Sequence, residues 1–320
     1  MKTTKMLKVG ALVLTTLTIF VGCGPKNDKA AQDAVHTAMV NTSKVKSESY
    51  ELLLDGKVTA EKDSTAQFKV LDGTLGFGGV FDMRTKENPK FTLKVDAKGT
   101  MDGGKEQAVG GEMLLANKNF YFSINKVAVD GIPDLYKTAV DQFMNKWWSL
   151  DLPAESLASL SANSGDEKDM TPEQKQLKEL MDKTQFFKNV KDKGADKVGE
   201  VAAQKYSVEL DKEAFKVYLA ESAKITGQDA KTADLAQVDK MMALVEFKGD
   251  VWISKDDQML RKMDGKVTVA AGAETDNIAM DFQITYTVDN LNKDVKVEVP
   301  AKSEKFDLSK MLGIPAAPTK

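Results

Sequence analysis

The 320-residue chain has almost none of the side chains from which metal and disulfide sites are built, with one cysteine and one histidine. A single cysteine excludes a disulfide within the chain, and zinc sites usually need several Cys and His ligands together. The same scarcity argues against a Cys–His catalytic pair. We therefore expect no metal and no cofactor, and a fold that is stabilised by its hydrophobic core.

An excess of basic charge is also missing. The 45 Lys and Arg residues face 48 Asp and Glu, so the formal net charge is -3 and the isoelectric point lies near 5.5. Proteins that bind nucleic acid usually carry a basic surface, so nucleic acid is not expected as a partner. Hydrophobic residues make up 42% of the chain, which is ordinary for a globular protein and too many for a disordered one.

The motifs of the common enzyme classes are absent from the sequence. There is no Gly-x-Ser-x-Gly, and the Gly-rich run 76–79 lacks the Lys-Ser/Thr of a phosphate-binding loop. The acidic clusters at 166–169 and 255–257 lack the spacing of a calcium loop. We expect His36 to be exposed to solvent and not catalytic, because no orienting partner is recognisable. The chain is therefore not expected to be an enzyme.

The first 22 residues have the pattern of a secretory signal. Three lysines within the first eight residues precede an uncharged run of 13 residues from Val9 to Val21. A helix needs about 20 residues to span a bilayer, so this run has the length of a signal-peptide core. Residues 1–22 are therefore predicted to be removed from the mature protein.

The run ends in Phe20-Val-Gly-Cys23, which resembles the lipobox of bacterial lipoproteins, with Phe20 in place of the usual Leu. The resemblance implies cleavage before Cys23 and attachment of acyl chains such as palmitate to its thiol and new amino group. Two or three acyl chains anchor a protein stably, whereas one holds it only marginally. We expect an extracytoplasmic protein anchored to the cell membrane. In a cell with two membranes Gly24, which is not Asp, favours the outer membrane.

Two blocks of alternating apolar and polar residues predict strands, and segments of helical period separate them. Hairpin connections predominate, so the predicted class is α+β. We expect one large curved antiparallel sheet, a half-barrel, with helices covering its concave and apolar face.

Glycines and valines add local detail to this sheet. The Gly-rich run 71–80 predicts a strand with kinks or bulges. A turn that contains Gly194 is predicted to join two strands between residues 188 and 201. The alternating valines at 295–299 predict the strand that closes the sheet.

Most of residues 30–300 resembles the LolA/LolB-like lipoprotein-carrier superfamily, and within it the LppX/LprAFG-type lipoproteins. The resemblance implies a half-barrel whose concave face, roofed by helices, holds acyl chains. It also implies a division into a signal peptide (1–22), a lipidated tether with an opening helix (23–45), the main domain (46–310) and a flexible tail (311–320). The motifs that carry it are the lipobox at Cys23, the opening helix, Ser47-Glu-Ser-Tyr-Glu51, Val190–Gly194 before Tyr206–Asp211, and Gly249–Ser254 before Leu260–Lys262.

The expected ligand is a lipid or an acylated protein, bound by a monomer through the apolar faces of its strands. An adhesion or scaffold lipoprotein with a filled core remains an alternative, and an apolar cavity between sheet and helices would distinguish the two. Ten residues on the apolar strand faces are predicted to contact the lipid: Phe91, Leu93, Val95, Met113, Leu115, Phe122, Met280, Phe282, Ile284 and Tyr286.

Overall fold

The structure is a computed structural model that describes residues 29–85, 88–131, 133–152, 170–227 and 232–306. The predicted signal peptide 1–22, the proposed anchor Cys23 and the predicted tail 311–320 lie outside the described residues. The described strands are, in chain order, Ser47–Ala60 (β1), Val70–Asp82 (β2), Lys90–Met101 (β3), Gln107–Ala116 (β4), Asn119–Ala128 (β5), Trp147–Asp151 (β6), Phe187–Val198 (β7), Val201–Leu210 (β8), Val245–Ser254 (β9), Leu260–Val269 (β10), Ile278–Asp289 (β11) and Glu304–Lys305 (β12).

All of these strands belong to one sheet with the order β12-β6-β5-β4-β3-β2-β1-β11-β10-β9-β8-β7. Neighbouring strands are antiparallel except for β12 and β6, which are parallel. The two strand blocks join where β1 pairs with β11, with Leu54 opposite Ile284. The edge strands β12 and β7 do not pair with each other, so the sheet is open. The predicted α+β class and the single, mostly antiparallel sheet are confirmed.

Five helices are described, together with a short 3-10 turn at Ala273–Thr275. Two of them start at side-chain caps. Thr171 accepts a hydrogen bond from the main-chain N–H of Gln174, which completes a capping box. Asp211 accepts from the N–H groups of Glu213 and Ala214. The helices are Lys29–Thr42 (α1), Asp134–Phe143 (α2), Pro172–Lys183 (α3), Lys212–Ile225 (α4) and Thr232–Leu244 (α5).

The main core lies between the helices and one face of the sheet. Helix α1 packs on β7, β9 and β10, α5 packs on β9, and α4 lies between α3 and α5. Helix α2 packs on β5, at the other side of the sheet. Buried residues of this core include Val35, Phe186, Phe215, Val251 and Met263. The helix-facing side of β2, β3 and β4 thus lies between two sets of helices.

The predicted turn at Gly194 is wrong. Strand β7 continues through Gly194 to Val198, and the chain turns at Gly199 and Glu200. Both Gly194 and Gly199 have positive φ, +95° and +57°, so either could have formed the turn. At Gly194 the positive φ instead accommodates a register shift against β8, as in a β-bulge.

The prediction that 295–299 closes the sheet is also wrong. Val295 is buried, and Val297 packs against Leu114 and Tyr121, which lie on the face opposite the helices. The start of this segment is attached to β1, because Ser47 Oγ donates a hydrogen bond to the main-chain oxygen of Lys293 over 2.7 Å. The valines therefore cover a sheet face, and the last strand, β12, pairs with β6.

The Gly-rich strand β2 contains no bulge, because its pairing with β1 and β3 runs without a register shift. Gly73 of this strand, together with Gly56 on β1 and Gly99 on β3, instead permits close approach of the strands. An ideal Cβ on Gly73 would lie 2.7 Å from Gly99 Cα, and one on Gly56 would lie 2.7 Å from Phe282 Cα. Gly56, Gly73 and Gly99 are directly paired across β1, β2 and β3. We call these three residues the glycine row.

Candidate functional site

The ten residues predicted to contact lipid share one face of the sheet. Directly paired residues point to the same side, and the pairs Phe91–Leu115, Leu93–Met113 and Met113–Phe122 connect β3, β4 and β5. The pairs that extend this face to β11 are Val95 with Phe77, Phe77 with Leu52, and Leu52 with Tyr286. This is the face on which the helices pack, since Ile284, Phe282 and Tyr286 all contact the main core.

An apolar cavity of about 480 Å³ lies on this face, over the ends of β1 to β4 and β11. It surrounds the glycine row, where the absence of side chains leaves space above the sheet. Leu54 and Ile284 form its buried floor, at 7% and 0% exposure. The side chains and backbone that line it include Val58, Leu71, Leu75, Ala97, Met101, Val109, Met280 and Phe282.

Exposed apolar side chains form the rim of this cavity. Leu71, Met101 and Val109 are 39%, 43% and 44% exposed, which is unusual for large hydrophobic residues in this protein. Leu71 and Met101 are directly paired on neighbouring strands, and Val109 on β4 pairs with Ala97, four residues along β3 from Met101. We call these three residues the rim. Exposed apolar groups around an apolar cavity mark a site for an apolar ligand or surface.

Three of the ten predicted residues line the cavity, namely Met280, Phe282 and Ile284. Ile284 is fully buried within the main core, and Leu115 is 4% exposed outside the cavity. Met113 contributes to the lining of a different cavity. The other members, Phe91, Leu93, Val95, Phe122 and Tyr286, are half-buried elsewhere on the helix-facing side. Their role in lipid binding stays a prediction.

Sequence alternation missed most of the lining. Met101 continues the alternation of β3 beyond Ala97, but Gly99 interrupts the apolar pattern between them. The same interruption occurs at Gly73, between Leu71 and Leu75. A signal was therefore present in the sequence: glycines in phase with the apolar face of three consecutive strands.

Phe122 belongs to an aromatic cluster at the β6 edge. Its ring centroid lies 5.3 Å from that of Phe306, and the Phe143 and Trp148 centroids are 5.0 Å apart. Trp147 instead packs with Leu114 on the opposite face of the sheet. The two adjacent tryptophans thus face opposite sides, as expected for a strand. The cluster fills the space beside α2, so Phe122 has aromatic partners within the protein.

A buried carboxyl group lies on the helix-facing side, towards the end of the sheet away from the cavity. Glu48 is 7% exposed, and burial raises its pKa to about 7, while a hydrogen bond from Tyr286 acts in the opposite direction. Burial also raises the pKa of Tyr50, with the nearby Glu48 charge adding to the effect. The side chain is therefore partly protonated near neutral pH.

A second cavity, of about 1390 Å³, has a mixed polar character. Charged residues such as Glu51, Lys94, Glu112 and Lys296 line it, and Lys94 and Glu112 form an ion pair at 3.3 Å. These residues alternate with the helix-facing ones, so the cavity lies mainly on the opposite face. Its charges make it unsuited to an acyl chain.

His36 is not solvated as the sequence analysis expected. It is half-buried in α1, and its Nδ1 atom is buried without a hydrogen-bond partner among the described residues. Burial lowers the pKa of His36, while the charges of Asp33 and Asp182 act in the opposite direction. His36 is half-buried because α1 packs into the core, and the sequence pattern of the helix did not reveal that packing.

Within the described ranges no three His, Cys, Asp or Glu side chains are grouped so that they could hold a metal ion. Of the helices in those ranges, none has the length and apolar character needed to cross a membrane.

Searches with protein-family models and among curated proteins find no match for the chain. Among solved structures, it is similar to the Mycobacterium tuberculosis lipoprotein LppX, with 12% identity, coverage of 85% of this chain and 100% of that one, and a TM-score of 0.30. For LprF from Mycobacterium bovis the identity is 15%, the coverage 87% and 100%, and the TM-score 0.33. A beta-barrel-like protein of a domain of unknown function from Brucella abortus matches with 11% identity, 77% and 99% coverage and a TM-score of 0.24.

The structure search thus returns the lipoprotein group that the sequence motifs resemble. The coverage is high, but the identities and TM-scores are too low to carry an argument about function.

Proposed function

We propose that the protein is an extracytoplasmic, membrane-anchored lipoprotein that binds a lipid by its acyl chain in the apolar cavity. The observation that carries this proposal is the cavity of about 480 Å³, which is lined by apolar side chains and bordered by the exposed rim. The signal-like residues 1–22 and the lipobox at Cys23 support the location and the anchor.

The energetics favour an apolar ligand. Each methylene group that leaves water contributes about 0.8 kcal/mol, and a cavity of this size is within the usual range of about 300–1,000 Å³ for small-molecule sites. The rim side chains are more than a third exposed, so a ligand that covers them removes protein surface from water as well. Acyl chains carry no polar groups, so the cavity needs no polar groups to satisfy them.

The alternative of a scaffold with a filled core fits only half of the sheet. Helices α1, α4 and α5 with their neighbours fill the face of β7 to β10. Over β1 to β4 the cavity remains. Filled and open halves on one face favour binding over a purely structural role, because a scaffold gains nothing from exposed Leu71, Met101 and Val109.

We propose no catalytic step. Binding and release of an acyl chain require a cavity and an opening, and both are formed by the residues named above. The function proposed is therefore that of a carrier or holder of lipid.

The test compares two charge substitutions at equal exposure. Val109 and Leu53 are 44% and 45% exposed, but Val109 is on the rim and Leu53 points to the opposite face. Val109→Glu should weaken binding of a fluorescent fatty acid, whereas Leu53→Glu should leave it unchanged. Thermal unfolding of both variants provides the control for folding.

A second variant addresses the cavity volume. Ala97 lines the cavity and is half-buried, so Ala97→Trp should fill the space and displace the acyl chain. Mass spectrometry of lipid extracted from the purified protein should find lipid in the wild type and little in this variant. The proposal is wrong if the wild-type protein neither yields lipid on extraction nor binds the fluorescent fatty acid.

A further inference from the structure

The start of α1 is tied to the first residue of β7. The side-chain amide of Gln32 donates a hydrogen bond to the main-chain oxygen of Phe187, with 3.2 Å between Nε2 and O. Ala31, Gln32 and Val35 are all buried. The first turn of α1 therefore has a definite position along the strands, and the register of the sheet shows where it lies.

Phe187 lies at the same level of the sheet as the glycine row. Paired residues on successive strands mark one level, because hydrogen bonds between strands run across the strand direction. Glu209 pairs with Lys248 in the antiparallel strands β8 and β9. Leu210 follows Glu209 and Phe247 precedes Lys248, so these two residues also lie side by side. The pairs that complete this level are Phe187 with Leu210, Phe247 with Val267, Val267 with Phe282, Phe282 with Gly56, Gly56 with Gly73, and Gly73 with Gly99.

The last turn of α1 lies at the other end of the strands. The main-chain N–H of Leu260, the first residue of β10, donates to Thr42 Oγ1 over 2.9 Å. The 14 residues of α1 span about 21 Å. The strand segment from Gly56 back to Ser49, which lies near the level of Leu260, spans about 23 Å. Gln32 lies at β7 and Thr42 at β10, three strands apart, so α1 runs obliquely along the strands. Its first turn lies at the level of the glycine row, but at the β7 side of the sheet.

The outer part of the rim lies at this same end of the sheet. Leu71 and Met101 are two residues beyond Gly73 and Gly99, towards the ends of β2 and β3. Val109 pairs with Ala97, two residues to the inner side of Gly99, so it borders the cavity opposite Leu71 and Met101. The beginning of α1 and the mouth of the cavity therefore lie at one end, and Ser49 marks the other.

The segment between the proposed anchor and α1 is short. Six peptide steps separate Cys23 from Lys29, the first residue of α1. At about 3.6 Å per residue, they reach at most about 22 Å. The opposite end of the sheet is further from the start of α1 by about the length of that helix, so an acylated Cys23 favours an orientation with the cavity end towards the membrane.

We propose that the outer part of the rim, Leu71 and Met101, docks on the bilayer that holds the anchor, so that a membrane lipid can pass directly between bilayer and cavity. This proposal rests on the proposed function, since it needs both an acylated Cys23 and a lipid-binding cavity. The occupant of the rim is the lipid surface. Apolar side chains at the rim lose their contact with water there, as in other interfacial proteins.

The charges near the rim indicate an apolar contact. The turn 61–69 and the turn 102–106 carry acidic and basic residues in nearly equal number, so this end has no excess positive charge for anionic headgroups. Docking should therefore depend weakly on salt concentration.

The test measures which end of the acylated, full-length protein is closer to the membrane. Lys105→Cys lies in the β3–β4 turn at the rim end, and Glu200→Cys lies in the β7–β8 turn at the opposite end. Both positions are exposed and neither lines the apolar cavity, so a bound lipid does not affect the labels. Each variant is labelled with a maleimide donor and placed in vesicles of phosphatidylethanolamine and phosphatidylglycerol that contain rhodamine-labelled lipid.

We expect higher energy transfer from position 105 than from position 200. Adding Met101→Glu should lower transfer from position 105, whereas adding Leu53→Glu, on the opposite face, should not. Equal transfer from the two positions, or higher transfer from position 200, would overturn the proposal. So would transfer from position 105 that is unchanged by Met101→Glu.

The docking proposal and the proposed lipid-binding function can fail independently of each other. Lipid recovered from the protein together with equal transfer means that the cavity binds lipid but does not face the membrane. Absence of lipid and of fatty-acid binding refutes the function, whatever the transfer shows. If Cys23 is not acylated, the unsubstituted protein becomes labelled at this thiol, which refutes the anchor and the docking proposal with it.

Discussion

Tyr286 on β11 donates a hydrogen bond to Glu48 on β1, with 3.4 Å between the hydroxyl oxygen and Oε1. Glu48 is only 7% exposed and lies on the helix-facing side of the sheet. Burial raises the pKa of Glu48 from 4.5 to about 7. At a pH between 4.5 and about 7, Glu48 is therefore mostly protonated in the native state and mostly ionised in the unfolded state.

The stability of the protein should fall as pH rises through this range. Protonated Glu48 favours the native state fully below the unfolded pKa, and this contribution is lost as pH rises through about 7. Glu48→Gln should remove that loss and raise the free energy of unfolding at pH 8 by up to about 3 kcal/mol. Urea unfolding of both proteins from pH 5 to pH 8 checks this, and parallel curves would contradict it.

His36 should produce the opposite slope. Its pKa in the native state is lowered by burial, so the unfolded state binds the proton more readily, and stability is lost as pH falls below the unfolded pKa of about 6.5. His36→Gln should therefore be less sensitive to acid than the wild type. The difference between their unfolding free energies should change between pH 7 and pH 5, and a constant difference would show that His36 does not titrate in this way.

The glycine row should be sensitive to a single methyl group. A Cβ on Gly73 would lie 2.3 Å from the Lys98 oxygen, so Gly73→Ala forces two strands apart and should cost at least about 2 kcal/mol. Gly76 in the same strand has no neighbour closer than 3.6 Å, and Gly76→Ala should change stability by less than about 0.5 kcal/mol. Thermal and urea unfolding of this matched pair decide the point, and similar losses in both would refute it.

Cys23→Ser should release the protein from membranes. The substitution removes the only thiol in the chain, and without acyl chains the proposed anchor contributes no membrane affinity. Fractionation of cells that express the variant should find it in the soluble fraction, with the wild type in the membrane fraction as the control. Retention of the variant in membranes would refute the anchoring hypothesis.

The burial of each residue decides which substitution tests the cavity. From alternation alone, Ile284→Glu would be a test of a cavity wall, because Ile284 lies on the apolar face of its strand. The structure shows that Ile284 is fully buried in the main core. A charge there should unfold the protein whether or not lipid binds, so Val109→Glu is the informative substitution.

The two errors in the predicted fold have a common physical origin. Gly194 and Gly199 both adopt positive φ, and only pairing with the neighbouring strand determines which glycine turns the chain and which forms a bulge. Likewise, the alternation of Val295 and Val297 is compatible with a strand or with a segment lying on a sheet face. Contacts with residues far away in the sequence, such as Leu114 and Ser47, decide between them.

The sequence by itself determined the class of the fold and the two faces of each long strand, because these depend on residues close together in the chain. Tertiary structure alone decided which apolar residues became core and which became cavity. Ile284 and Val109 both lie on the helix-facing side, yet one is fully buried and the other is 44% exposed. The difference depends on where the helices pack and on the alignment of Gly56, Gly73 and Gly99 across three strands, and both are set by long-range pairing.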